Sequence, residues 1–117
     1  MSPAARLAAL ESRPLPGGLT LLVAGDRRAR RRGLAGLDAG ALPAGHGLWF
    51  ERCRSVHTVG MRFALDLVWL DGDGSVVRLD RGVGPRRVRT CLRARSVIEV
   101  AAGDGERFGA ASLERHP

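Results

Sequence analysis

The chain has 117 residues, of which 19 are basic and 12 acidic, and because it contains no lysine its formal net charge of +7 rests on arginine. This length fits one domain with one core, while 44% hydrophobic and 26% charged residues are typical of a globular chain and exclude a disordered one. No run approaches the roughly 18 apolar residues of a membrane span, and the N-terminus lacks a signal-peptide stretch, so we expect a soluble, cytoplasmic protein.

The first half of the chain predicts one strand, one short helix and a loop. Residues 1–18 contain three prolines and two glycines, which predicts a flexible or loosely docked segment, followed by a single domain over 19–117. The apolar run at 19–24 predicts a strand. Asp26 can cap a short helix over 27–34, and the Gly, Ala and Pro content of 37–47 indicates a loop.

The second half predicts strands. Residues 47–53 and 96–101 read as strands, and 56–71, if extended, places apolar side chains on one face in a period of two. The sequence Asp71-Gly72-Asp73-Gly74 predicts a hairpin turn into 75–80, and 106–110 predicts a helical turn. Six or more short strands with one helix indicate a mainly β fold, a compact jelly-roll-like sandwich or barrel.

Two residues of the 56–71 segment invite separate predictions. His57 falls on the apolar face, so we predict a core imidazole bonded to backbone in preference to a ligand or acid–base role. Asp66 interrupts an apolar stretch, so its carboxylate must be paired, and backbone N–H groups or an arginine are the expected partners. About 13 Å of extended chain separates Arg62 from Asp66, which excludes a direct ion pair unless the strand breaks between them.

The arginines form two blocks on either side of a nearly neutral middle. The densest clusters lie at Arg27–Arg32 and Arg86–Arg95, and the guanidinium fork suits phosphate and carboxylate. The alternative is a solvated surface in which a GC-biased genome has placed arginine. With 4% aromatic residues for base stacking, nucleic acid is an allowed partner but not the favoured one. The candidate anion-binding residues are Arg27, Arg28, Arg31, Arg86, Arg87 and Arg89.

Motifs for catalysis are absent from the sequence, so we predict no catalytic residue, no metal and no cofactor. The turn at 71–75 lacks the glycine and the acid that a calcium loop requires, and neither a phosphate loop nor a nucleophile elbow occurs. Cys53 and Cys91 are expected to be reduced and mostly buried. An enzyme that uses Cys53, which lies between two arginines, or His57 remains an alternative.

Residues 56–71, VHTVGMRFALDLVWLD, resemble the central motif of the bacterial and archaeal family called domain of unknown function 192, in which the pattern runs H-T-F-G-M-R-F-P-I-D. Three flanking pieces agree with the family: residues 28–34 with R-x-x-G-L, 47–50 with G-M-L-F, and 97–103 with V-L-E-L-x-x-G. Ala64 stands where the family has Pro, and residues 109–112 lack the closing Gly-Asp.

The resemblance implies a compact, mainly β fold with one short helix, and it implies no activity. Any shared site is expected at the matched motif positions, so the candidate ligand-binding residues are His57, Thr58, Arg62 and Asp66. We expect a non-enzymatic binding or accessory module for an anionic small molecule or a protein partner. A nucleic-acid module that uses the two arginine clusters is the alternative.

Overall fold

The computed structural model describes residues 3–25 and 33–114, which form a mainly β fold. The predicted helix over 27–34 lies almost entirely outside the described residues. A short 3-10 turn occupies Ala39–Ala41. The helices are α1, Pro3–Ala8, and α2, Gly105–Glu114. The strands are β1, Glu11–Leu15; β2, Leu19–Val23; β3, His46–Phe50; β4, Ser55–His57; β5, Leu65–Leu70; β6, Val76–Val83; β7, Val88–Thr90; and β8, Ser96–Ala101.

Six of the strands form one mixed sheet in the order β1-β2-β3-β8-β5-β6, and β4 pairs with β7 in a separate two-stranded ribbon. Every pairing in the large sheet is antiparallel except β2 with β3. The prediction of a mainly β fold is therefore confirmed. Over the described residues the sheet stays open and does not close into a barrel. Two short helices lie there: α1 in the N-terminal segment, and α2 where the sequence predicted a helical turn over 106–110.

Local sequence signals account for the centre of the sheet. The apolar runs form β2, β3 and β8 close to their predicted bounds, and the acidic turn joins β5 to β6 as a hairpin. Asp71 builds that turn, because its Oδ1 accepts the N–H groups of Asp73 at 2.9 Å and Ser75 at 3.0 Å.

Both faces of the sheet are covered, so β5 is buried at all six of its positions. One face packs with Phe108 of α2, and the other packs with Leu7 of α1, residues 34–42 and the ribbon. Gly47 permits the close approach of α2, since a Cβ at this position would lie 2.8 Å from Ile98 and 3.0 Å from Phe108. The alternation predicted for a half-buried strand gives way to continuous burial of β5.

The N-terminal segment, expected to be flexible or loosely docked, contributes α1 and the edge strand β1. Leu7 and Leu15 are buried, and β1 pairs along its whole length with β2. No helix in the described ranges is long and apolar enough to cross a membrane.

The motif segment 56–71 is not one strand. The chain leaves extended conformation after β4 and resumes it at β5, with turns in between, and Gly60 has a φ of 82°. His57 is consequently exposed on the ribbon, so the prediction of a core imidazole is wrong. The period-2 pattern failed because it assumed continuous extension through the residues that turn.

Glu99 is a fully buried carboxyl at the centre of the sheet. It lies on β8 between Leu48 of β3 and Leu67 of β5, and its side chain is 1% exposed. Its Oε1 has no hydrogen-bond partner among the described residues. Burial raises the pKa of Glu99 to about 8, because desolvation disfavours the charged form, so the side chain is mainly neutral at pH 7.

This raised pKa predicts a pH-dependent stability. Between the ordinary carboxyl pKa of about 4.3 and the folded value of about 8, the folded state holds a proton that the unfolded state has released. The free energy of unfolding therefore contains a contribution that falls by about 1.4 kcal/mol per pH unit as the pH rises. Glu99→Gln is permanently neutral, so we expect that decline to disappear from urea unfolding curves recorded across the interval.

Glu106→Gln, which replaces an exposed carboxylate, is the matched control. Its free energy of unfolding should decline with pH as that of the parent protein does. The slope against pH is the readout, since a buried Gln changes absolute stability for its own reasons. Equal slopes for the parent protein and Glu99→Gln would refute a neutral buried Glu99.

Candidate functional site

Asp66 is a buried carboxylate of the motif whose partners are all backbone groups. Its carboxylate is 4% exposed and accepts three backbone N–H groups, each at 2.9 Å. Oδ1 accepts from Gly82 at the end of β6, and Oδ2 accepts from Gly103 and Gly105 where the chain passes from β8 into α2. The expectation of a backbone-bonded carboxylate is confirmed, and its partners are three glycines.

Glycine is required at one of these partners. A Cβ at Gly105 would lie 2.8 Å from Cβ of Asp66 and 2.7 Å from Leu79. The N-terminus of α2 therefore approaches β5 as closely as backbone can, and the carboxylate accepts an N–H group that the helix itself leaves unpaired. A negative charge is also favoured at this end of the helix dipole.

Thr58 makes a second set of bonds at the other end of the motif. It is 1% exposed, and its hydroxyl donates to the carbonyl oxygen of Gly84 at 2.7 Å and accepts the N–H of Arg87 at 2.8 Å. Its backbone N–H donates to the carbonyl oxygen of Arg87, and its carbonyl oxygen accepts the N–H of Arg86. A single threonine thus holds the corner between β6 and β7.

That corner contains a strained residue. Arg86 has a φ of 59°, the one positive value outside glycine in the described ranges, in the left-handed region that costs an ordinary side chain about 1 kcal/mol or more. The bonds to Thr58 hold Arg86 in this conformation. Its side chain is exposed, as is that of Arg87 beside it.

Arg62 and His57 lie at the surface. Arg62 Nη1 contacts Asp38 Oδ1 at 3.1 Å, with both side chains more than half exposed. The strand break that was the condition for a short Arg62–Asp66 pair does occur, yet Arg62 has Asp38 as its partner. The Nδ1 atom of His57 accepts the backbone N–H of Val59 at 3.3 Å.

The four candidate motif residues therefore make separate contacts and share no hydrogen bond with one another. Asp66 and Thr58 face inward, and both bond to the segment 82–87, one near each end. Arg62 and His57 are exposed to solvent.

The second arginine cluster lies on and around the ribbon. Arg86 and Arg87 occupy the corner before β7, and Arg89 is half-buried within it. The candidate residues Arg27, Arg28 and Arg31 lie outside the described residues.

The two cysteines are free thiols, with Cys91 buried and Cys53 half-buried. Cys53 Sγ donates to the carbonyl oxygen of Ser55 at 3.1 Å, and His57 uses its Nδ1 atom on the backbone of Val59. These bonds engage the thiol and the imidazole separately. No group of three or more His, Cys, Asp or Glu side chains suited to a metal ion occurs in the described part of the chain.

The sequence predictions did not include three residues whose surroundings are unusual. Glu99, Trp49 and Ser112 each carry a buried polar atom without a hydrogen-bond partner among the described residues. The only signal available for Glu99 was an acid inside an apolar run, and nothing in the sequence marked the other two.

We expect Asp66→Asn to lower the free energy of unfolding by about 2–4 kcal/mol, because an amide cannot accept three N–H groups and directs its own N–H donors at them. Asp73→Asn, an exposed acid of the hairpin turn, is the control and should change stability by less than about 0.5 kcal/mol. Urea unfolding measures both. A loss below about 1 kcal/mol for Asp66→Asn would show that the three bonds are dispensable.

The sequence of this chain matches the model of one protein family. The model of the DUF192 family, described as an uncharacterised group, matches residues 12–112. No curated protein sequence matches the chain.

Two solved structures share the fold. A protein of unknown function from Novosphingobium aromaticivorans DSM 12444 superposes with a TM-score of 0.66 at 16% identity, covering 93% of this chain and 91% of that one. A protein from Sinorhizobium meliloti 1021, described as a putative transcription regulator, superposes with a TM-score of 0.62 at 21% identity, covering 84% and 83%. Because the family model spans most of the sequence and includes the segment that carries Thr58 and Asp66, the chain belongs to the DUF192 family.

Proposed function

We propose that this protein is a non-enzymatic binding module whose ribbon docks an acidic segment of a partner protein that carries aliphatic side chains. We define the ribbon face as the exposed side chains of β4, β7 and their flanks: His57, Val59, Arg86, Arg87, Val88 and Leu92. The observation that carries the proposal is the Thr58 clamp, which holds a strained arginine corner at the surface. Strain of this kind is retained where it serves recognition.

The ribbon face combines apolar and basic side chains. Val59, Val88 and Leu92 are 57%, 64% and 80% exposed, and they are the large hydrophobic side chains most open to solvent in the described ranges. The strand register pairs Val88 with His57, so an imidazole and an aliphatic side chain lie next to each other. Exposed aliphatic groups along one ribbon and its flanks indicate a contact surface.

Charge selects the class of partner. Residues 53–60 and 84–94, which form the ribbon and its flanks, contain five arginines and no acidic residue. This excess of positive charge attracts an acidic partner over roughly a Debye length, about 8–10 Å in physiological salt. Each guanidinium group can also bind a carboxylate through two parallel hydrogen bonds.

The aliphatic side chains favour a polypeptide over a nucleic acid. Phosphate contacts gain nothing from valine or leucine, and single-stranded nucleic acid is bound largely by stacking on aromatic rings. The rings of Phe50, Trp69 and Phe108 are all buried in the core. Every Phe and Trp side chain that the structure describes is buried or half-buried.

The family motif has a part in this function. Asp66 and Thr58 bond to the segment 82–87 near its two ends, so the motif fixes the corner that carries Arg86 and Arg87. His57 contributes to the ribbon face directly. Arg62 provides a further exposed cation in the same motif.

A labelled peptide of alternating acidic and aliphatic residues tests the proposal by fluorescence anisotropy. We expect binding that weakens as salt increases, and a loss of about tenfold in affinity for Arg86→Gln/Arg87→Gln, which removes two charge-assisted contacts. Val88→Ser should weaken binding by about threefold, because it removes an apolar contact without changing charge.

The matched control is Arg81→Gln/Arg107→Gln, which removes the same charge from the surface near α2 and should bind the peptide as the parent protein does. Duplex DNA is measured in parallel, since one protein of this fold is described as a putative transcription regulator. Absence of peptide binding at low salt would refute the proposal. Tighter binding of DNA that Val88→Ser leaves unchanged would assign the surface to nucleic acid instead.

A further inference from the structure

The strand β7 has a free edge. Among the described residues β4 is the one strand that pairs with it, so the opposite edge of β7 has no strand partner there. Val88 and Thr90 are exposed, and Arg89 between them is half-buried. A strand edge of this kind presents unpaired N–H and C=O groups, to which a further strand can bind.

The bonds between β4 and β7 show which backbone groups face the free edge. The N–H of Cys91, the residue after β7, donates to the carbonyl oxygen of Arg54 at 2.8 Å. Hydrogen-bonded and non-hydrogen-bonded pairs alternate along an antiparallel ladder, so the next pair, Thr90 with Ser55, has no backbone bond. The 3.0 Å contact between their hydroxyl oxygens agrees, because side chains lie closest in such pairs. Thr90 and, two positions before it, Val88 therefore direct their N–H and C=O groups to the free edge.

Arg89 covers part of this edge with its own side chain. Its Nη1 donates at 2.9 Å to the carbonyl oxygen of Val88, one of the groups that face the free edge. A charged side chain at an open edge opposes pairing with arbitrary strands. A partner strand has to displace this guanidinium, and a carboxylate on the partner does so readily, because its charge-assisted bond to arginine is stronger than that of a neutral carbonyl. The edge is therefore suited to an acidic strand.

The side chains along β7 match a partner strand in which acidic and aliphatic residues alternate. Arg87, directly before β7, and Arg89 lie two positions apart, with Val88 between them. In an added strand each residue interacts with the β7 residue opposite to it, so acidic residues lie opposite the two arginines and an aliphatic residue lies opposite Val88. A second copy of β7 centred on Val88 or Arg89 would instead place arginine opposite arginine, which like-charge repulsion disfavours.

We propose that the acidic partner segment binds as an added antiparallel strand on the free edge of β7. Its aliphatic residues, opposite Val88 and Thr90, exchange backbone hydrogen bonds with the edge, and its carboxylates pair with Arg87 and Arg89. This inference rests on the docking function proposed above and adds the conformation of the partner, which is an extended segment. Main-chain bonds then provide affinity, and the alternating side chains provide specificity.

Peptides with an N-methylated backbone test this binding mode on the unaltered protein. The parent peptide alternates Glu and Val, and two derivatives carry equal numbers of N-methyl groups, one on its Val residues and the other on its Glu residues. In the proposed strand the Val N–H groups face β7 and the Glu N–H groups face away. By fluorescence anisotropy we expect affinity to fall at least about tenfold for the Val-methylated peptide and less than about threefold for the Glu-methylated one.

The result distinguishes the binding mode from the docking function. If the parent peptide does not bind at low salt, the docking function is refuted, and the added strand with it. If the parent peptide binds, and the two derivatives bind equally or the Glu-methylated one binds more weakly, the antiparallel added strand is refuted while the docking function stands.

Thr90→Pro tests the same edge from the side of the protein. Proline removes the N–H of residue 90, which faces the free edge and takes no part in the ladder with β4, and strand edges tolerate proline. Thr90→Val is the matched control, because it keeps this N–H and, like proline, loses the hydroxyl contact with Ser55. We expect the affinity for the parent peptide to fall at least about tenfold in Thr90→Pro and less than about threefold in Thr90→Val.

Equal peptide affinities of Thr90→Pro and Thr90→Val would contradict strand addition at this edge. Sedimentation of the free protein covers the other occupant: a dimer that is lost in Thr90→Pro and kept in Thr90→Val would assign the edge to a second copy of the chain and overturn the proposal. The methylated peptides leave the protein unaltered, so they test strand addition whether or not Thr90→Pro folds.

Discussion

The structure depends on a single buried carboxylate. Asp66 is enclosed by three backbone N–H groups from two separate parts of the chain, the end of β6 and the passage from β8 into α2. A buried anion is tolerated only when it is satisfied in this way. The requirement explains why α2 begins with Gly105 directly against β5 and covers one face of the sheet with Phe108.

Thr58 fixes the corner between β6 and β7, as Asp66 fixes the start of α2 against the sheet. Its hydroxyl is a donor toward Gly84 and an acceptor toward Arg87, so one atom satisfies both polar groups of a turning backbone. Because the two side chains bond near opposite ends of residues 82–87, together they fix the conformation of that segment. The motif is therefore a frame for residues 82–87, and the docking function proposed above uses the surface that this segment, β7 and His57 present.

The sequence predicts what local patterns determine. The runs that became β2, β3 and β8, the hairpin at Asp71 and the backbone-bonded state of Asp66 all follow from apolar content, turn chemistry and the cost of burying a charge. The conformation of 58–64 does not, because Thr58 and Arg62 find their partners 24 to 29 residues away. The same holds for the surroundings of Trp49 and Ser112, which come together only after the sheet and α2 have assembled.

The net charge of +7 understates how basic the exterior is, because two acids of the described residues, Asp66 and Glu99, are buried. Asp66 is enclosed by backbone, and Glu99, with its pKa raised to about 8, carries little charge at pH 7. Asp80 accepts from Trp69 and Arg78 within the sheet. The arginines of the ribbon have no acid in their own segments to offset them. In the docking function proposed above, the arginines would supply the long-range attraction, and the neighbouring aliphatic side chains, whose contribution salt does not screen, would select among anionic partners.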